Sequence, residues 1–377
     1  MRWRPRLLIV GARRGVPVAL VVAVAHALGY MGRTSAWQGI WAETVAHWNS
    51  AAILSMPAAA SMAAWLSAAN RRDALARLES VASRSPWVVR LRTWAEVSCW
   101  VVLGLVMGCA PGVVMTFRRA TFGSLDVTAC APVVAFVLSG VALGLLAGHV
   151  VPWTLGAPLI GVVTYVFFGV MDAGAHSLTQ VVTPIDGRWM TYHRTSPSLL
   201  VARTALWLLV TAALLARWGG RARSALLLTW LAGIAAAPLL FVGSGDRVVV
   251  EPAAELRCAQ TEGQVEVCLT ASKSYLVPSL SKHAQQVFDT VEGLIDAPLR
   301  IVGDEARGLS YSTDEQIQEL LIPGESGSVY AMSAIYDLSA AAEADRNAFL
   351  GGFAAVLFPD SPGREHGRGV ATGGVSC

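Results

Sequence analysis

The chain has 377 residues, 54% of them hydrophobic and 15% charged, and a mean hydropathy of +0.51. Soluble domains carry about a quarter charged residues, so this composition excludes a chain solvated by water alone. The formal charge of +3 is too small for a nucleic-acid binder, and the arginines cluster beside apolar runs, where orientation in a lipid bilayer accounts for them.

An apolar run of about 17 to 25 residues is long enough to cross a bilayer as a helix, the form that satisfies its own backbone groups in lipid. Seven such runs are expected, at 15–31, 50–69, 96–117, 127–151, 154–174, 199–216 and 225–243. Before the first run stand Arg2, Arg4, Arg6, Arg13 and Arg14. These arginines, with the small-residue pattern Ala25-His26-Ala27, also fit a cleavable signal peptide, but the apolar stretch continues to Met31 and favours a retained span.

The second polar connection, 70–94, carries Arg71, Arg72, Arg77, Arg84, Arg90 and Arg92, and the sixth carries Arg217, Arg221 and Arg223. Alternating the spans from a cytoplasmic N-terminus places all these groups inside, as basic residues in short loops require. Arg118, Arg119, Arg188 and Arg194 fall outside, against the rule. The 70–94 segment reads as two short helices split at Ser85-Pro86. Leu75, Leu78 and Ala82 form one apolar stripe, and Arg72, Asp73, Arg77 and Glu79 cover the rest. Two readings fit it: an element that docks on a partner, or a basic loop held by anionic lipid.

Ionisable residues inside spans are costly and therefore candidates for function. Asp172 and His176 lie four apart at the outer end of the fifth run, and Arg203 lies early in the sixth. They fit either a polar lining on a transport path or side chains that reach interfacial water. Two carboxylate and imidazole ligands fall short of a metal site.

After 245 the composition turns polar, and a small α+β domain over 245–360 is expected, extracytoplasmic by the alternation, with a disordered tail at 361–377. Strands are expected at 247–251, 255–259, 264–269 and 299–302, and helices at 279–295, 312–321 and 338–357. Cys258 and Cys268 flank the turn-like Thr261-Glu262-Gly263 and could close a disulfide across a hairpin in an oxidising compartment; two free thiols is the alternative.

Catalytic motifs do not present themselves. Neither Lys273 nor Lys282 follows a glycine, so there is no P-loop, and neither a His-Glu-x-x-His helix nor a Gly-x-Ser-x-Gly elbow occurs. The expectation is a chain that is not an enzyme and binds no cofactor.

The stretch from Trp41 through Ala58-Ala59-Ala60, Ala63-Ala64-Trp65 and Asn70-Arg71-Arg72 to Leu78-Glu79-Ser80 resembles the second span and following cytoplasmic segment of type-2 ATP-binding-cassette (ABC) exporter permeases of actinobacterial kind. Gly148-His149-Val150-Val151-Pro152 with Ala157-Pro158-Leu159 is similar to their fourth-to-fifth connection. Arg257-Cys258 to Cys268, with Tyr275, Val287 and Leu294, resembles an outer domain found on some of them. The likeness covers roughly residues 15–305, and the seventh span and outer domain are additions to the pattern.

The resemblance implies a permease subunit of an exporter in the bacterial cytoplasmic membrane. It implies a second permease copy or paralogue and a separate ATP-binding subunit that carries the ATP and Mg. The ATPase-coupling segment would be 71–80, with Arg71, Arg72, Asp73, Leu75, Arg77, Leu78 and Glu79. A membrane-embedded sensor or scaffold with an envelope-facing ligand-binding domain is the alternative from a different class.

Overall fold

A computed structural model describes residues 11–31, 37, 39–72, 86–151, 155–174, 193–241, 247–260, 266–278, 280–282, 285, 300–303 and 328–331. Seven long helices carry it: α1 (Ala12–Met31), α2 (Trp41–Arg72), α3 (Pro86–Phe117), α4 (Ala131–Val150), α5 (Gly156–Gly174), α6 (Pro197–Trp218) and α7 (Ala222–Phe241). Among the described residues, five segments are long and apolar enough to cross a membrane: Ala12–Met31, Trp41–Ala69, Trp87–Phe117, Val127–Val150 and Pro197–Trp218. The apolar stretches Gly156–Val170 and Ala222–Ala236 are shorter. The outer faces of α5 and α7 expose Leu159, Val162, Phe167, Leu226 and Ile234, as a surface solvated by acyl chains does. The chain is a membrane-embedded protein, mostly helical, with a small sheet.

Two boundaries differ from the sequence expectation. Helix α2 begins at Trp41, about nine residues before the apolar run at 50, because Thr44 and Asn49 find hydrogen-bond partners inside the bundle and hydropathy does not register them. Residues 86–94 form no separate loop helix. Pro86 is instead the first residue of α3, the one helical position where a missing N–H costs nothing, and the helix runs unbroken from it to Phe117.

Neighbouring helices alternate in direction. Gly29 of α1 lies against Ala51 of α2, and His26 against Ser55, so this pair is antiparallel. α1 and α3 run parallel, as Gly104 meets Ala19 and Gly108 meets Ala23. Parallel too are α2 and α4, with Met56 on Gly140, Ala60 on Gly144 and Ala64 on Gly148. Glycines thus recur every fourth residue on both α3 (104, 108, 112) and α4 (140, 144, 148), and in each case a Cβ would strike the facing helix. At Gly144 and Gly148 the obstacle is backbone carbonyl, of Ala60 and Ala64, so backbones touch there and only glycine fits. α2 sits at the centre, packed on α1, α3, α4 and α5, while α7 packs on α6. Phe136, Phe168 and Trp207 join α4, α5 and α6 through edge-to-face contacts with centroids 4.7 to 6.4 Å apart.

The alternation gathers the starts of α1, α3 and α7 and the ends of α2 and α6 at one end, with their arginines. At the opposite end β1 (His193–Thr195) pairs antiparallel with β2 (Arg247–Val249), tying the α5–α6 connection to the chain beyond α7. Beyond the four-residue α8 (Glu251–Ala254), a sheet of order β3-β4-β5-β6 follows: β3 (Leu256–Gln260), β4 (Glu266–Thr270), β5 (Arg300–Gly303) and β6 (Ser328–Ala331). β3 and β4 form the expected hairpin, while β5 joins β4, and β6 joins β5, in parallel. β6 went unforeseen, since Ser328 to Ala331 is too short and mixed to stand out, and the strand expected over 247–251 stops at Val249. The helices expected at 312–321 and 338–357, and the tail at 361–377, lie outside the described residues.

This domain rests on the bundle. The Thr121 and Ser274 hydroxyls are 2.9 Å apart, the Tyr275 ring packs on Gly39, and Ala253, Ala254 and Val250 cover Phe122.

Gly144→Ala and Gly148→Ala should each cost about 1–3 kcal/mol through overpacking. The check is thermal unfolding in detergent against Gly233→Ala, where a Cβ meets nothing within 4 Å and no loss is expected.

Candidate functional site

Most of the buried polarity in the first three helices converges on one lattice. His26, in the interior of α1, is 2% exposed. Its Nδ1 lies 3.3 Å from the Ser55 hydroxyl of α2 and its Nε2 lies 3.3 Å from the Cys109 thiol of α3. A neutral imidazole donates from one nitrogen and accepts at the other, so both partners can be satisfied without a charge. One turn further, the Tyr30 hydroxyl donates to the Gly108 carbonyl at 2.6 Å and accepts from the Gly112 N–H at 3.2 Å. Those two backbone groups are four residues apart, the pair an uninterrupted helix joins to each other. Tyr30 therefore inserts into the α3 ladder beside Pro111, whose ring already removes one helical bond.

The lattice continues toward the sheet end. Trp37 Nε1 donates to the Tyr30 carbonyl at 3.0 Å, the Thr44 and Thr116 hydroxyls are 2.6 Å apart, and Asn49 Nδ2 donates to the Ala129 carbonyl at 3.2 Å. Tyr30 stacks edge-on with His26, Trp37 and Trp48. Chemically this is a hydrogen-bonded joint of α1, α2 and α3, in which the buried Asn49 Oδ1 finds no donor among the described residues. A Cys–His pair is also the pattern that activates a thiol nucleophile, and two ligands fall short of the four of a closed zinc site.

The sequence alone does not expose this cluster, because His26 stands there within the small-residue pattern Ala25-His26-Ala27. The signal was present: an ionisable residue in the middle of an apolar run, facing glycines at i, i+4 on another.

Of the residues singled out from sequence, Arg203 is buried in α6, one turn before Trp207, and Asp172 lies in the last turn of α5, one turn beyond Phe168. Since Phe168 meets Trp207, the two positions flank the same aromatic contact on its sheet-end side. His176 lies outside the described residues. Arg71 and Arg72 complete the last turn of α2, and Asp73, Leu75, Arg77, Leu78 and Glu79 lie outside the described residues. Cys258 and Cys268 face each other in the β3–β4 register and form a disulfide, with Cα atoms 4.0 Å apart. Glu266 joins them in one cluster of metal-capable side chains, but disulfide sulfurs are not thiolate ligands.

At the sheet end, Asp126 meets Arg194 at 3.0 Å, which neutralises one of the arginines that break the charge rule. Burial pushes the Asp126 carboxyl up. The Thr128 side chain, the Arg194 charge and the backbone N–H groups of Thr128 and Ala129 outweigh that and hold it below the ordinary carboxylate range.

No protein-family model, curated protein or solved structure matches this chain.

Tyr30→Phe should leave the Gly108 and Gly112 groups without the bridging hydroxyl. The expected result is about 1–3 kcal/mol of lost stability and faster hydrogen exchange confined to α3 around 108–112. For Asp126, a depressed folded pKa contributes stability above the unfolded value of about 3.9, lost as pH falls through the folded value. Asp126→Asn should therefore lower the melting temperature at neutral pH, and the gap from wild type should close as the solution is acidified below about pH 4.

Proposed function

We propose that this chain is the membrane-spanning subunit of an ATP-driven exporter of the ABC type, with seven spans, a cytoplasmic N-terminus and an extracytoplasmic sheet domain. It sits in the bacterial cytoplasmic membrane beside a second permease copy or paralogue and couples to a separate ATP-binding subunit. ATP and Mg belong to that subunit. The work of this chain is conformational.

The observation that carries the reading is the path of α2. The segment resembling the permease coupling element begins with Arg71 and Arg72, the last two residues of the helix that packs on α1, α3, α4 and α5. A push on Arg71 and Arg72 is thereby a push on the centre of the bundle. Two features on the far side suit such a motion. Pro111 and the inserted Tyr30 hydroxyl give α3 a place to bend, and the buried Arg203 of α6 brings a polar group into the bundle for a path outward. The disulfide-braced sheet domain rests on the same end of the bundle, at Gly39, Thr121 and Phe122, and would guide or recognise what leaves.

Affinity purification of the tagged full-length chain from its native membranes should bring down a P-loop ATPase subunit whose turnover rises when the two are reconstituted together. Arg72→Glu should cut that association at least tenfold while the chain's melting temperature holds. A well-folded chain that recovers no ATPase would leave the sensor or scaffold reading in its place. Labelling of intact cells supplies the topology: after mild reduction, an impermeant maleimide should reach Cys258.

A further inference from the structure

At the basic end of the bundle two Trp-x-x-Arg segments from distant parts of the chain cross each other. Trp87 and Arg90 lie in the first turns of α3, and Trp218 and Arg221 flank the α6–α7 turn. Arg90 Cζ lies 5.8 Å from the Trp218 ring centroid, and Arg221 Cζ lies 4.8 Å from that of Trp87. Each guanidinium thus lies over the other segment's indole in a cation–π contact, which uses the ring face and leaves the Arg221 N–H groups for a ligand.

The turn is built to hold this crossing. The Arg221 N–H donates to the Ala216 carbonyl and the Gly220 N–H to that of Arg217, closing α6 with paired bonds around a left-handed residue, Gly220 at φ 76°. Gly219 must also be glycine, because the Trp87 ring occupies the space of its Cβ. The remaining carbonyl, of Trp218, accepts from Arg90 Nη1, so Arg90 caps α6 where a cation is favoured.

Three features remain that the fold does not use. Arg221 supplies the first carbonyl of α7, accepting from the Ala225 N–H, and Arg223 follows in the first turn with no acidic residue beside it. Cations at a helix N-terminus oppose its dipole, and an anion there reverses the sign. No carboxylate pairs with Arg90 or Arg221 among the described residues. The indole N–H of Trp218, a residue 8% exposed, finds no acceptor among the described residues. One anion at this tryptophan-lined membrane interface would answer all three. Below the crossing, α7 exposes Leu226, Leu227 and Trp230, a greasy face on which acyl chains can lie.

We propose that Trp87, Arg90, Trp218 and Arg221, with the N-terminus of α7, form a binding site for the phosphodiester head group of an anionic glycerophospholipid. The site requires only that the chain is membrane-embedded and is independent of the exporter reading.

The test is native mass spectrometry of the purified full-length chain in detergent, titrated with phosphatidylglycerol, phosphatidylcholine or inorganic phosphate. Wild type should retain phosphatidylglycerol at least tenfold better than phosphatidylcholine, and millimolar phosphate should not displace it. Arg221→Gln keeps the α6 cap and should abolish the preference with the lipid-free melting temperature unchanged; Arg90→Gln should abolish it too, with some loss of stability. Equal retention of the two lipids, an unchanged preference in Arg221→Gln, or displacement by inorganic phosphate would each overturn the assignment.

Discussion

The contact of bare backbone between α2 and α4 is the constraint on which the rest of the bundle depends. In lipid there is no hydrophobic gain in bringing two apolar helices together, so association must come from close packing and from hydrogen bonds. Gly140, Gly144 and Gly148 let α4 seat directly on Met56, Ala60 and Ala64 of α2, and Ser67 adds a bond of 2.8 Å to the Leu145 carbonyl. A second glycine row does the same for α3 on α1. With both rows engaged, α2 is held at the centre, and α1, α3, α5 and α6 take their places by contact with it or with α4, while α7 packs on α6.

Close approach has a second effect, which is to bring polar side chains of the first three helices within reach of each other. His26, Ser55 and Cys109 meet only because Gly108 lets α1 and α3 come together. The same approach lets Tyr30 enter the α3 ladder. A core of touching backbones thus adjoins a helix whose hydrogen-bond ladder is interrupted at one point by Pro111 and Tyr30.

The two ends of the bundle differ in kind. One gathers arginines and indoles that stack on each other, with Arg90 and Arg221 exchanged across Trp218 and Trp87. The other is cross-tied by protein: a β1–β2 ladder, the Asp126–Arg194 pair, and the sheet domain seated on Gly39 and Phe122. The first end is therefore electrostatic in character, and the end under the domain is held by direct contacts.

The primary structure by itself determined that lipid surrounds much of this chain, where its apolar helices run, that basic residues collect at one end, and that Cys258 could face Cys268. These follow from composition, run length and charge order, which are local properties. Only the tertiary structure decided where α2 and α3 begin, which glycines meet carbonyls, and that His26 and Tyr30 form a polar centre with α3. Hydropathy scores each residue as if alone. Thr44 and Asn49 read as polar and ended the apolar run too soon, although in the bundle each has a partner more than seventy residues away. Likewise Trp87-Val-Val-Arg90 and Trp218-Gly-Gly-Arg221 are unremarkable apart. They acquire meaning when antiparallel packing of α3 and α6 sets each arginine on the other's ring, a relation fixed by three-dimensional proximity and by no spacing along the chain.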